Sequence, residues 1–161
     1  MAEPGARRLN GRHPMDIEVI GIDHIYISAS DMVRSESYYD RVMPILGFRK
    51  NTFTNEGDAH VQYYNRHFGF VLRPARAGRV QHDPLAPGLH HLCFRVEDCA
   101  AVDAIAAKFA AARVECSAPQ LYPEYAPDYY AIFFSDPDGI RLEVTNYREE
   151  RRRRFRDWEL L

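Results

Sequence analysis

The sequence predicts an α+β fold built from two tandem βαβββ modules, and three observations carry that expectation. The order strand, helix, three strands can be traced twice along the chain. Each tracing opens on a histidine-led strand followed by a helix-capping aspartate, His24-Ile-Tyr-Ile-Ser-Ala-Ser-Asp31 and His91-Leu-Cys-Phe-Arg-Val-Glu-Asp98, which reads as an internal repeat. Between the two lies Pro74 to Leu89, whose Pro, Gly and Ala content suits a linker rather than a packed element.

Composition bounds the rest. A chain of 161 residues with 46% apolar content is expected to form one compact unit with a core large enough to fold unaided. The formal net charge of -2 creates no global field favouring nucleic acid or an anionic membrane. No apolar run is long enough for a membrane span. Residues 1–15 mix Pro, Gly and Arg without apolar periodicity, so a flexible tail is expected, and they lack the apolar run of a secretory leader. The three cysteines, Cys93, Cys99 and Cys116, form no disulfide framework, which points to reduced thiols and a cytoplasmic setting. The expected organisation is a single domain over residues 16–147, with module one at 17–74, a linker at 75–89 and module two at 90–147. A C-terminal helix should occupy 148–161.

The first strand is expected over Ile17 to Ser28, where Ile25 and Ile27 alternate with His24, Tyr26 and Ser28. Ser30 or Asp31 can cap a helix whose apolar positions Tyr39, Val42, Met43 and Leu46 recur at helical spacing until Pro44 and Gly47 close it. Phe48 to Phe53 and Ala59 to Tyr64 should be strands around an Asn55-Glu56-Gly57-Asp58 turn, followed by a strand from Phe68 to Arg73. In the second module, His91 to Val96 is a strand and Asp98 caps a helix with Val102, Ile105, Ala106 and Phe109 on one face. A strand at Arg113 to Ser117, a Pro/Tyr loop at Ala118 to Asp128 and an aromatic strand at Tyr129 to Phe134 follow. The C-terminal stretch is rich in arginine, but Glu149, Glu150, Asp157 and Glu159 are interleaved with it, so no nucleic-acid role is expected. Phe155 and Trp158, three residues apart, are the side chains expected to dock that helix, on this chain or on a partner subunit.

The most informative stretch is Ser135-Asp-Pro-Asp-Gly-Ile-Arg-Leu-Glu-Val-Thr-Asn146. Asp-Pro and Asp-Gly supply a tight turn, after which Ile140, Leu142 and Val144 alternate with Arg141, Glu143 and Thr145. Taken alone, Glu143 is a solvated glutamate on the polar face of a strand. Two modules that each open on a strand-borne histidine, closed by Asp-Pro-Asp-Gly-x-x-x-Glu, change that reading. This combination resembles the vicinal oxygen chelate superfamily, which includes glyoxalase I, extradiol dioxygenases, fosfomycin-resistance transferases and bleomycin-resistance proteins.

The resemblance implies that each module curls a mixed sheet into a cup and that paired modules enclose a divalent metal, iron(II), manganese, zinc, nickel or cobalt. The positions that match its ligands are His24, His91 and Glu143, two imidazoles and a carboxylate that leave metal positions open for substrate oxygens. The other histidines, His13, His60, His67 and His82, read as surface residues. His90 competes with His91, but adjacent strand residues point to opposite faces, and the repeat selects His91. Alternation offers Tyr26, Ser28, Cys93, Arg95, Arg141 and Thr145 as pocket neighbours of the ligands. Tyr129, Ala131 and Phe133 are expected on the same side, although aromatic core packing is as good an account of Phe133.

Matching the glycine-led strands Gly69 to Pro74 and Gly139 to Val144 sets Arg73 against Glu143. A guanidinium can neither ligate a metal nor act as a base, but it can pair with an anionic substrate group. The resemblance therefore implies a metal-dependent enzyme acting on a small organic substrate, with dioxygenase or addition chemistry favoured over glyoxalase I-type isomerisation. In that isomerisation a glutamate serves as fourth ligand and base; Glu56 is the residue that would have to replace it. A metal-free drug-binding protein is the alternative. A homodimer is expected from the aromatic content of 12% and the C-terminal helix.

Overall fold

The computed structural model describes residues 17–76 and 81–160. The expected N-terminal tail and part of the linker lie outside the described residues. Module one comprises β1 (His24–Ala29), α1 (Met32–Val42), β2 (Arg49–Asn55), β3 (Asp58–Tyr64) and β4 (Gly69–Pro74). Module two comprises β5 (Leu92–Val96), α2 (Cys99–Ala111), β6 (Gln120–Leu121), β7 (Tyr130–Ser135) and β8 (Arg141–Asn146). Helix α3 (Glu149–Arg156) and a 3-10 turn (Trp158–Leu160) end the described chain. The strands form two four-stranded mixed sheets ordered β1-β4-β3-β2 and β5-β8-β7-β6. In each, the first strand runs parallel to the last and the remaining pairs are antiparallel.

Local chemistry accounts for the boundaries. Asp31 and Asp98 cap α1 and α2 by accepting the backbone N–H of Arg34 (3.1 Å) and of Ala101 (2.8 Å). Glu56 and Gly57 both take positive φ, the conformation a two-residue hairpin between right-twisted strands requires. The first strand is shorter than expected: β1 starts at His24, and Ile17, Val19 and Ile20 are exposed. Its ladder partner among the described residues, β4, begins at Gly69, whose N–H reaches back to the Asp23 carbonyl, so the parallel ladder starts at His24. The strand expected at Arg113 to Ser117 is also absent. Arg113 turns into the left-handed region after α2, Pro119 has no N–H to give, and only Ser117 bonds the backbone of Phe133 before β6 forms two residues of ladder.

Both helices pack on the same side of the sheets, and one apolar core runs through both modules. Tyr39 and Val42 of α1, Met43 at its C-cap, and Val102 and Phe109 of α2 are fully buried, as the helical spacing predicts. Phe94 of β5 joins the modules by packing against Phe48, Phe68 and Phe70. A polar latch reinforces the join. The buried Asp138 of the Asp-Pro-Asp-Gly turn accepts from the N–H and hydroxyl of Ser30 and from Arg34, and Asp136 accepts from the hydroxyl of Tyr39 at 3.0 Å. Phe155 and Trp158 do not dock α3 on this chain, since both are exposed. Arg152 holds the helix instead: it bonds the Tyr147 and Glu97 carbonyls, pairs with the Glu97 carboxylate at 2.8 Å and stacks on the Tyr147 ring.

Candidate metal half-sites

The sheet faces turned away from the helices carry the chemistry, and β8 sets their geometry in module two. Leu142 and Val144 point into the core, which sends Glu143 and Thr145 to the opposite face. That face is not solvated as a lone polar stripe would be. Glu143 is 1% exposed, against the expectation that a strand-borne glutamate is wet, because Cys93 and Phe133 flank it in register on the neighbouring strands. Its two oxygens are distinguished. Oε1 accepts from the Tyr129 hydroxyl at 2.5 Å, and Oε2 lies 3.5 Å from Nε2 of His91.

Burial and the hydrogen bond to Glu143 push the Tyr129 phenol well above its ordinary range, so it stays a donor at neutral pH. Burial, with the Glu143 carboxylate alongside, raises the Cys93 thiol in the same way and keeps it protonated. The Arg148 guanidinium sits 5.0 Å above the Tyr129 ring, a cation at this site that the sequence reading did not single out. His91 and His90 do not diverge to opposite faces. Both precede β5, so strand alternation does not yet apply to them, and their Nδ1 atoms are 2.7 Å apart. This contact leaves Nε2 of His91 turned to Glu143.

In module one, His24, Tyr26 and Ser28 of β1 lie exposed on the equivalent face. Nδ1 of His24 is 2.7 Å from Asp23 Oδ2, which fixes the ring by a carboxylate contact that the strand pattern alone did not flag. A cavity of about 300 Å³ opens there between His24, Tyr26, Gln62, Tyr64 and Val71. Gly69 lies close beside it: a Cβ would meet the end of the Gln62 side chain at 3.2 Å and touch His24 Cβ at 3.5 Å, so a larger residue would push Gln62 aside. His60 is not a surface residue. It is buried, stacked on Phe53 at 4.9 Å and edge-on to Tyr26 at 6.0 Å, because the β3 alternation turns it to the same face as Gln62.

Strand register also relocates the residue matched to Glu143. Tyr26 pairs with Val71 and Ser28 with Arg73, whereas Cys93 pairs with Glu143 and Arg95 with Thr145. With His24 and His91 equivalent, Val71 stands where Glu143 stands, and Arg73 falls two residues on. The two glycines that suggested otherwise are not equivalent: Gly69 starts a strand, and Gly139 lies in the turn at φ 86°. Arg73 shares a cavity of about 330 Å³ with Ser28 and Arg76, and its guanidinium is 3.5 Å from Asp58. Glu56 is at the hairpin tip, 3.5 Å from Arg76. Arg95 stacks on Tyr147 at 4.1 Å, and Arg141 is exposed at the start of β8.

The structure thus brings His91 and Glu143 together and leaves His24 on the other sheet. Among the described residues no group of three His, Cys, Asp or Glu is gathered around one point. The donor types suit a divalent transition ion, but a single chain offers them as a two-donor and a one-donor half. Cys93, Cys99 and Cys116 are all free thiols. No helix among the described residues is long and apolar enough to cross a membrane.

The family model described as Glyoxalase/Bleomycin resistance protein/Dioxygenase superfamily matches residues 21–144. No curated protein matches the sequence. Among solved structures, the chain resembles a glyoxylase/bleomycin resistance protein/dioxygenase domain from Frankia sp. EAN1pec, with a TM-score of 0.67 at 22% identity over 81% of this chain and 100% of that one. It also resembles the fosfomycin resistance protein FosX from Listeria monocytogenes, with a TM-score of 0.62 at 15% identity over 84% and 97% of the two chains. Lactoylglutathione lyase from Agrobacterium tumefaciens gives 0.55 at 21% identity over 81% and 94%. At these identities the likeness shows a shared fold.

Proposed function

Because the chain belongs to the glyoxalase/bleomycin resistance protein/dioxygenase superfamily, we propose that it is a divalent-metal-dependent enzyme acting on a small organic substrate that presents adjacent oxygens. His24 of one chain would complete a site with His91 and Glu143 of a second chain in a homodimer. The observation that carries this reading is the arrangement of Glu143: one oxygen is held by Tyr129, the other faces His91 at 3.5 Å, and the third donor is on the opposite module. Iron(II), manganese, zinc, nickel and cobalt all accept this donor set. A bound ion would polarise substrate oxygens as a Lewis acid.

The chain's own residues then divide the remaining work. Tyr129 keeps the Glu143 carboxylate in one orientation, and Asp23 does the same for the His24 ring. Arg73, beside Ser28, is placed to pair with a carboxylate or phosphonate of the substrate, and the weak 3.5 Å contact with Asp58 leaves it free to do so. No carboxylate stands at Val71, so dioxygenase or addition chemistry with three protein ligands is favoured over glyoxalase-type isomerisation. The free thiols support a reducing, cytoplasmic setting.

Metal content by mass spectrometry of the wild type against His24→Ala, His91→Ala and Glu143→Ala tests the proposal. Each variant is expected to lose most of its metal, and undiminished metal in all three would remove the reading. The second reading, a metal-free binding protein of the same fold, is favoured only by the separation of the donors within one chain. It predicts a wild type that retains no ion after exposure to any of the five metals.

A further inference from the structure

We propose that the cleft between the β3–β4 turn and β5 binds a small anion bearing phosphoryl groups. It adjoins the His24 cavity through Tyr64, Asn65, Arg66 and His67, but none of His24, His91 and Glu143 lines it. The cleft has a volume of about 600 Å³, in the range of small-molecule sites. Arg49 from the start of β2, Arg66 and His67 from the β3–β4 turn and Arg95 from β5 all line it, with Tyr64 and Asn65, and no acidic residue does. Three elements from both modules therefore converge with one sign of charge in a chain whose net charge is -2.

Several neighbouring and surface cations are matched, whereas others among the described residues, such as Arg141 and Arg153, stand singly without a carboxylate and do not line this cleft. Lys50, next in sequence to Arg49, pairs with Glu36 at 2.6 Å and Asp40 at 2.8 Å. Arg34, Arg73, Arg76, Arg152 and Arg154 each have a carboxylate. Among the described residues, Arg49, Arg66 and Arg95 have none within ion-pair distance. Clustered guanidinium groups without counter-charge repel one another, and an anion that bridges them relieves that repulsion.

The arginines are also partly ordered in advance. Arg95 lies flat on Tyr147 at 4.1 Å, with Arg152 stacked on the same ring at 4.5 Å, so its planar fork loses little freedom on binding. The turn bearing Arg66 is pinned by Asn65 Oδ1, which accepts from the N–H of His67 at 2.8 Å and of Phe68 at 3.2 Å. Three forks around one cavity match several oxygens carrying more than one negative charge, the chemistry of a diphosphate, better than a single carboxylate.

The test is calorimetric titration of inorganic pyrophosphate into the metal-stripped full chain at 150 mM salt (about the physiological ionic strength), alongside citrate and a single-stranded oligonucleotide. Saturable binding of pyrophosphate is expected, with citrate weaker. Arg49→Gln, Arg66→Gln and Arg95→Gln should each weaken it about tenfold or more, the loss of one charge-assisted contact. Arg153→Gln, which removes the same charge from the exposed face of α3, should leave it unchanged. His91→Ala should lose metal without losing pyrophosphate, so the fate of the metal proposal is scored independently. Absent saturation, equal weakening in all four arginine variants, or tighter binding of the oligonucleotide than of pyrophosphate would each overturn the inference.

Discussion

The hydroxyl of Tyr129 donates to Oε1 of Glu143 at 2.5 Å, leaving the second carboxylate oxygen turned to His91. The bond joins the end of the Pro/Tyr loop to the middle of β8, and it satisfies a carboxylate that is otherwise sealed from water. Replacing Tyr129 by Phe keeps the ring and removes only the donor. A loss of about 1–3 kcal/mol in unfolding free energy is expected, as for a buried acceptor left short of a partner. Metal affinity should fall about 10–100-fold, as when a group that orients a ligand is removed. Denaturant titration and metal-binding isotherms of Tyr129→Phe measure the two effects, and an unchanged metal isotherm would show that Glu143 needs no such support.

Asp138 ties the closing turn of module two to Ser30 and Arg34 at the start of α1. Asp138→Ala leaves those donors without their acceptor inside the join between modules. A destabilisation of about 1–3 kcal/mol is expected, the cost of leaving the part-buried Ser30 donors without an acceptor, since the half-exposed Arg34 can turn to water. Urea unfolding reads it, and a change within about 0.5 kcal/mol, the scatter of ordinary surface substitutions, would mean that the apolar contacts of Phe94 alone hold the modules.

Asp136 responds to pH in the opposite sense to a paired surface carboxylate. Burial raises its folded pKa above the ordinary value of 3.8, although Ile140, Tyr39 and Asp138 donate to it and counter the shift. A carboxyl with a raised folded pKa adds stability that is complete below its unfolded value and is lost as pH rises through the folded one. The stability of Asp136→Asn relative to wild type should therefore increase as pH rises from below 4 towards neutrality. Melting curves across that range check the sign, and a relative stability that falls with pH would contradict it.

Glutathione-adduct isomerisation of the glyoxalase I type should be undetectable with any of the five metals. The position that would supply the fourth ligand and base is Val71, whose side chain has no lone pair or proton to offer. Glu56, the residue that could have replaced it, is at an exposed hairpin tip beside Arg76. Robust turnover in that assay would show that another carboxylate enters the cup.

Phe155 and Trp158 are exposed on a single chain at 82% and 54%, and His24 is separated from the other two donors. Both features are expected to find partners in a second copy. Light scattering should give twice the 18.7 kDa chain mass across a wide dilution series. A monomer mass at every concentration would contradict the shared site.

Much of this architecture was legible in the sequence because it follows local rules. Asp31 and Asp98 announce the helices, the Glu56-Gly57 turn announces its hairpin, and strand alternation separates Leu142 and Val144 from Glu143. What alternation leaves open is how wet each face is. Glu143 is sealed by Tyr129, Cys93 and Phe133, and His60 by Phe53 and Tyr26, partners brought in from a loop and from other strands. The match of Val71, rather than Arg73, to Glu143 was hidden for a related reason. Register is a property of paired strands, and the two glycines that align in sequence occupy a strand in one module and a turn in the other.

The central claim is that two chains share each metal site, and mixing two inactive chains tests it most directly. His24→Ala protein keeps an intact His91/Glu143 pair, and Glu143→Ala protein keeps an intact His24. Equimolar amounts of the two are unfolded together, refolded to allow mixed dimers and assayed for bound metal by mass spectrometry. A site built from His24 of one chain and His91 and Glu143 of the other predicts metal in the mixture that neither parent holds alone. A mixture as empty as its parents, beside a refolded wild type that recovers its metal, would contradict the claim.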